Sequence, residues 1–215
     1  MTDVRRSAFY ALCLLLGALL FGAAGLAHPV LRGDGATQLA TIAGTQGWRV
    51  IHWSLLFGLP LMLVGLAGLL RHQETPGAGP ARAGAILATL GIAAWMINIL
   101  FMASAGWHLA RTYAASEPGL TATHAVFLYD MLHPFGLAAE RLATFTMGLA
   151  LYLFGWAIRN GRVHPDWLSW GAFAAGAACM VIPLAVQEDA VVLYYGQAAL
   201  IAWMAAAGVV MFTRR

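Results

Sequence analysis

The sequence predicts an all-α membrane bundle of six transmembrane helices, formed by one transmembrane domain over residues 1–215. Three observations carry this reading. The chain is 61% hydrophobic and 10% charged, with a mean hydropathy of +0.74, whereas a soluble domain carries roughly a quarter charged residues. Six apolar stretches are each near the roughly 20 residues that a helix needs to cross a hydrocarbon layer about 30 Å thick. The stretches are Leu/Ala/Gly-rich and continuous rather than alternating, which fits helices and excludes a β-barrel. A soluble enzyme, a disordered chain and a nucleic-acid binder are excluded on the same grounds.

The six spans are read at 8–27, 50–70, 83–105, 134–158, 167–186 and 191–212. The first follows Arg5-Arg6 and ends at Gly25-Leu26-Ala27. That ending also resembles a signal peptide, whose cleavage would leave His28 as a free N-terminus and a copper ligand. The second runs from after Trp48 to Arg71, and Pro60 would kink it. The loop 71–82, rich in Pro and Gly and bounded by Arg, separates it from the third. In the third, Asn98 is expected to bond a neighbouring helix. The fourth is expected to begin at Pro134, because His133-Pro134 marks a helix boundary, as do His28-Pro29 and His164-Pro165. The fifth follows the loop 159–166 and contains Pro183; the sixth ends at the C-terminal Arg pair. The long segments 28–49 and 106–133 could form a cap or a partner surface. Cys13 and Cys179 lie in apolar stretches and read as buried thiols, and the methionines read as packing.

All 12 basic residues are Arg, and their distribution sets the expected orientation. With the N-terminus inside, the inner side holds eight Arg and three acids. The outer side holds Arg32, Arg49, Arg111 and Arg141 with six acids. Both termini are therefore expected in the cytoplasm of a bacterial inner membrane. Trp48, Trp53 and Trp107 at one face, and Trp156, Trp167 and Trp170 at the other, suit interfacial belts. Spans two–three and four–five each run through an Arg-terminated helix and a loop to a Gly, which suggests a parallel repeat; similar composition alone would give the same likeness. If the repeat holds, spans two and four are neighbours.

The hairpin Gly155-Trp156-Ala157-Ile158-Arg159-Asn160-Gly161-Arg162, leading to Trp167-Leu168-Ser169-Trp170-Gly171, resembles one found in uncharacterised bacterial multi-helix integral membrane proteins. The likeness covers about 20 residues. It implies an inner-membrane location and transfers no activity.

Function is sought in the polar groups at the outer ends of the spans, where polar residues are costly and often functional. At 1.5 Å per residue, His52 and Glu140 lie at equal heights, about 28 Å above Arg71 and Arg159. His28, His108 and His133 fall close by. His133 and Glu140, seven residues apart, share a helix face, and Asp130 stands three residues before His133. For a single histidine, a plain interfacial role is the commoner explanation, and Arg141 could simply neutralise Glu140, Glu188 or Asp189. As a layer, the candidates for cofactor binding are His52, His133, His28, His108, Arg49 and Arg141. Those for a metal are His52, His133, Asp130 and Glu140.

Three chemistries fit. Haem b could be held by two histidines, with Arg49 and Arg141 meeting its propionates. A copper, zinc or iron ion could be held by His and carboxylate. A proton or quinone site could use Glu140, Asp130 and His133. The expected function is a membrane redox or cofactor-binding subunit, with quinone, a periplasmic electron-transfer protein or other membrane subunits as partners. The alternatives are a non-catalytic subunit or assembly factor, and a transporter of small solutes or ions. No phosphate loop, nucleophile elbow or dinucleotide fingerprint is present.

Overall fold

The computed structural model describes residues 3–71, 77–185 and 192–213. Among them every element is helical: α1 (Asp3–Ala27), α2 (Gly35–Gly44), α3 (Trp48–Arg71), α4 (Ala78–Phe101), a π-helical turn (Met102–Gly106), α5 (Trp107–Ala115), α6 (Leu120–Gly161), α7 (Asp166–Ala185) and α8 (Val192–Thr213). Six stretches are long and apolar enough to cross a membrane, as the sequence predicts. Pro60 and Pro183 fall inside α3 and α7.

The spanning helices close into a ring that follows the chain. α1 packs on α3, α3 on α4, α4 on α6, α6 on α7, α7 on α8, and α8 returns to α1. α3 therefore rests chiefly on α1 and α4 rather than on α6, so spans two and four are not the neighbours that the repeat required.

Close approach at the crossings depends on glycine, because lipid supplies no hydrophobic drive and packing must do so. At the α1–α3 crossing, a Cβ on Gly17 would stand 2.8 Å from the Gly58 carbonyl. At the α6–α7 crossing, Cβ atoms on Gly148 and Gly176 would each stand 2.7 Å from the other's carbonyl. Gly148→Ala should therefore destabilise the bundle by about 1–3 kcal/mol, the usual range for overpacking. The control is the same change at Gly79 in α4, where an added Cβ meets nothing within 4 Å. Unfolding midpoints of the two variants in detergent check this, and equal midpoints would mean that the α6–α7 crossing does not need its glycine.

Two helical runs are far longer than a bilayer needs. α6 has 42 residues, about 63 Å at the helical rise. α4, the π turn and α5 form another continuous run of 38 residues. About 20 residues suffice to cross, so the upper part of each run projects and, with α2, builds a cap. The segments 28–49 and 106–133 are thus largely helical. The third and fourth spans, expected at 83–105 and 134–158, are parts of these longer rods.

His133-Pro134 does not end a helix; Pro134 lies within α6. Proline there forfeits one backbone hydrogen bond and crowds the preceding turn. Helix on both sides is held by packing, through buried Ala125 and Tyr129 before it and buried Gly136 and Ala143 after it. At His28-Pro29 and His164-Pro165 the boundary rule holds, since α1 ends at Ala27 and α7 begins at Asp166.

The apolar interior is divided accordingly. The main core fills the ring, and a smaller one, Leu39, Ile42, Trp48, Met102, Ala110 and Tyr129, fills the cap. Trp156, Trp167 and Trp170 are exposed at the far end, as an interfacial belt requires, and Arg159 stacks over Trp170 at 5.0 Å. Trp48 departs from the expected belt. It is 1% exposed and its indole N–H donates to the Met102 carbonyl at 2.9 Å, tying α3 to the start of the π turn.

α2 begins at a capped N-terminus. The Asp34 carboxylate accepts the Thr37 backbone N–H at 2.9 Å, and bonding with Thr37 holds the Asp34 pKa below its ordinary 3.8. Because the folded value is the lower one, the cap is intact above pH 3.8 and is lost as pH falls through that lower value. Asp34→Ala should therefore speed hydrogen exchange at the Thr37 amide at neutral pH, with little effect on amides of the ring.

Candidate functional site: a polar cavity between ring and cap

A cavity of about 160 Å³ lies where the ring meets the cap. Its wall takes Phe21 and Gly25 from α1, His28, Val30 and Leu31 from the segment after it, and Gln38 from α2. It takes His52 and Leu55 from α3, and Trp95, Asn98 and Ile99 from α4, followed by Met102. α6 adds His133, Leu137 and Glu140, and α8 adds Leu193, Tyr194 and Gln197. Five of the six spans contribute, so the ring is what assembles it.

Two histidines meet at the upper wall. His28 follows the last residue of α1, and His52 is the fifth residue of α3. Their Nε2 atoms stand 3.3 Å apart. His52 is 2% exposed, and its Nδ1 lies 2.9 Å from the Trp48 carbonyl, one turn back on the same helix. A carbonyl can only accept, so Nδ1 carries the proton and Nε2 turns a lone pair toward His28. Trp48 packs on both rings, at 4.2 Å from His52 and 5.1 Å from His28 between centroids, and fixes their planes. Burial holds the His28 pKa below the usual histidine value, which favours the neutral form of the ring.

Glu140 occupies another part of the wall. Its Oε2 accepts an N–H from Asn98 and its Oε1 one from Gln197, each at 2.9 Å. Gln197 also donates to Thr144 Oγ1 at 3.2 Å, and Thr144 donates to the Glu140 backbone carbonyl at 2.9 Å. Asn98 thus makes the interhelical bond expected of it, from α4 to α6. Gly136 leaves room for that approach, since a Cβ there would collide with Asn98 Oδ1.

His133 lines the cavity and stacks on Tyr129 at 4.7 Å. Tyr129 donates to Gln38 Oε1 at 2.9 Å, and Gln38 donates to the Gly33 carbonyl at 2.9 Å. This chain fastens α2 to α6 over the cavity. Tyr129→Phe should cost about 0.5–1.5 kcal/mol, one neutral hydrogen bond, and expose the α2 amides to faster exchange. Unchanged exchange in α2 would mean that the bond does not hold the cap.

Of the residues singled out from sequence, the structure brings His28, His52, His133 and Glu140 to one cavity. The others lie elsewhere. His108 is exposed on α5, and Arg49 is exposed on α3 beside Trp48. Asp130 is exposed and its carboxylate lies against Gly35 at the start of α2, where it complements the positive end of that helix. Arg141 follows Glu140 on α6 and is not part of the cavity wall. Adjacent helical residues point about 100° apart, and the Glu140 oxygens are held by the two amides. Glu188 and Asp189, the other partners considered for Arg141, lie outside the described residues, as does His72. Gln38, Tyr129, Tyr194 and Gln197 were missed by sequence reasoning. Gln197, an amide within an apolar span, carried the one legible signal.

Among the described residues, no three of His, Cys, Asp and Glu gather closely enough to form a metal-binding group. No family model, curated protein or solved structure matches the chain.

Proposed function

We propose that this is a cofactor-holding membrane subunit that binds one copper or zinc ion between His28 and His52. The supporting observation is the 3.3 Å separation of the two Nε2 atoms. Two nitrogens each about 2.05 Å from an ion and 3.3 Å apart subtend about 107°, near the tetrahedral angle that zinc adopts. The Nδ1–H bond from His52 to a backbone carbonyl is the outer-shell support typical of ligating histidines. Without a metal, the same spacing is a hydrogen bond from His28 Nε2–H to His52 Nε2. With two protein ligands, the remaining coordination positions face the cavity and are open to water or a small ligand. Copper would give a redox role its carrier; zinc would not.

The pair does not suit haem b. Axial imidazoles bind opposite faces of the macrocycle with the iron between them, whereas these two rings touch. Nor does it suit a site of two histidines and a carboxylate for iron, since no such threesome forms among the described residues. In the orientation that the Arg distribution favours, the site opens toward the periplasmic side of a bacterial inner membrane, within reach of a soluble electron-transfer protein. Purified protein, washed free of loosely held ions, should contain close to one copper or zinc per chain and show no Soret band. A chain that stays metal-free after incubation with Cu(I) and with Zn(II) would end this reading.

A second reading, a docking subunit, has its own observation. Leu120, Phe127, Leu128, Met131 and Leu132 are all exposed on the part of α6 that projects into the cap. Co-purification of a second chain with metal-free protein would favour it.

A further inference from the structure

The cavity wall carries a carboxylate that the metal site does not use. Among the described residues, Glu140 joins no group of three metal-ligating side chains, and no arginine lines the cavity. Asn98 and Gln197, reaching from two other helices, hold the Glu140 oxygens at 2.9 Å each. Neutral amides orient and solvate a carboxylate without supplying a counter-charge. A carboxylate offers about four lone-pair positions, so each oxygen keeps a direction for one more donor.

The same wall is aromatic. Phe21 packs on Trp95 at 5.2 Å between centroids, and Tyr194 lines the cavity from α8. Trp95 is 1% exposed and its indole N–H has no partner among the described residues. Aromatic faces attract organic cations, most strongly where water is excluded. The volume of about 160 Å³ matches an apolar cavity of about 150 Å³ that takes benzene. It is too large for a bare alkali ion and large enough for a molecule of about six heavy atoms.

We propose that Glu140 and its aromatic surroundings form a subsite for a small protonated amine. The ammonium N–H groups bond the free lone pairs of the carboxylate, while the carbon end lies against Phe21, Trp95 and Tyr194. A hydroxyl on the amine would give Trp95 Nε1–H an acceptor. Asn98 and Gln197 hold the carboxylate in place before the ligand arrives, so little ordering remains to be done on binding. The subsite does not depend on a metal at His28 and His52, and the two sites stand or fall separately.

The test uses full-length protein in detergent after chelation, so that failure of the metal reading does not touch it. Ethylammonium and ethanolamine are titrated, with ethanol as the neutral counterpart and sodium chloride holding ionic strength constant. Tryptophan fluorescence and calorimetry report binding. Saturable binding of both amines is expected, at least about tenfold tighter than ethanol, and Glu140→Gln should weaken it by about tenfold or more. The comparison of amine with ethanol needs no variant, so it decides even if Glu140→Gln fails to fold. The proposal is overturned by equal binding of ethanol, by no saturable binding of either amine, by a saturable response to sodium alone, or by undiminished binding in folded Glu140→Gln.

Discussion

His52→Ala should abolish the proposed metal binding: occupancy in the purified variant should fall below about a tenth of the parent's, with His28→Ala close behind. With two protein ligands, each nitrogen is half of the donor set, and a lone imidazole does not retain an ion through chelation. His164→Ala is the control. His164 lies between α6 and α7, at the end of the bundle opposite the cavity, and its variant should keep the parent's metal content. Elemental analysis of the four proteins, with thermal midpoints beside it, separates loss of ligand from loss of fold. Equal metal in all four would place the ion elsewhere and remove His28 and His52 from the account.

Glu140→Ala should produce the largest loss of stability among the polar variants. It strands two amide donors, Asn98 Nδ2 and Gln197 Nε2, each now bonded to the carboxylate at 2.9 Å. A buried donor left unpaired costs about 1–3 kcal/mol, so a net cost of roughly 2–4 kcal/mol is expected for the two. The partners can be told apart by double-mutant cycles. Glu140→Ala with Gln197→Ala should cost less than the sum of the two, with a coupling of about 1–2 kcal/mol. A cycle of Glu140 with Arg141 should couple more weakly. Stronger coupling to Arg141 than to Gln197 would reverse this assignment.

The ring was legible because its signal is one-dimensional. Apolar runs near 20 residues, broken by Arg, Gly and Pro, mark spans wherever they pack. The cap was legible only as two long segments between spans, and its helices were not, for the same reason. The helices continue beyond the apolar runs, through a π turn at Met102–Gly106 and through Pro134. Both depend on packing that overrides local propensity, with Trp48 bonding the Met102 carbonyl and Tyr129 buried shortly before Pro134.

At the site, depth could be counted from the Arg anchors, and it brought His28, His52, His133 and Glu140 into consideration. Direction could not be counted. Asp130, His108 and Arg49 are at suitable positions along their helices but face outward or toward α2. The contact between His28 and His52 also requires α1 and α3 to cross as closely as Gly17 and Gly58 permit, a property of two helices together. Gln197 is the converse case. It is a single amide in an apolar span, and its role became evident once α8 closed the ring beside α6.

X-ray absorption of protein loaded with one equivalent of zinc or copper decides whether the two imidazoles share one ion. Two imidazole nitrogens at about 2.0 Å are expected, with lighter scatterers completing the shell, and loss of the imidazole signature in His52→Ala. A loaded ion surrounded by oxygen alone, or an imidazole shell unchanged in that variant, would contradict a shared ion.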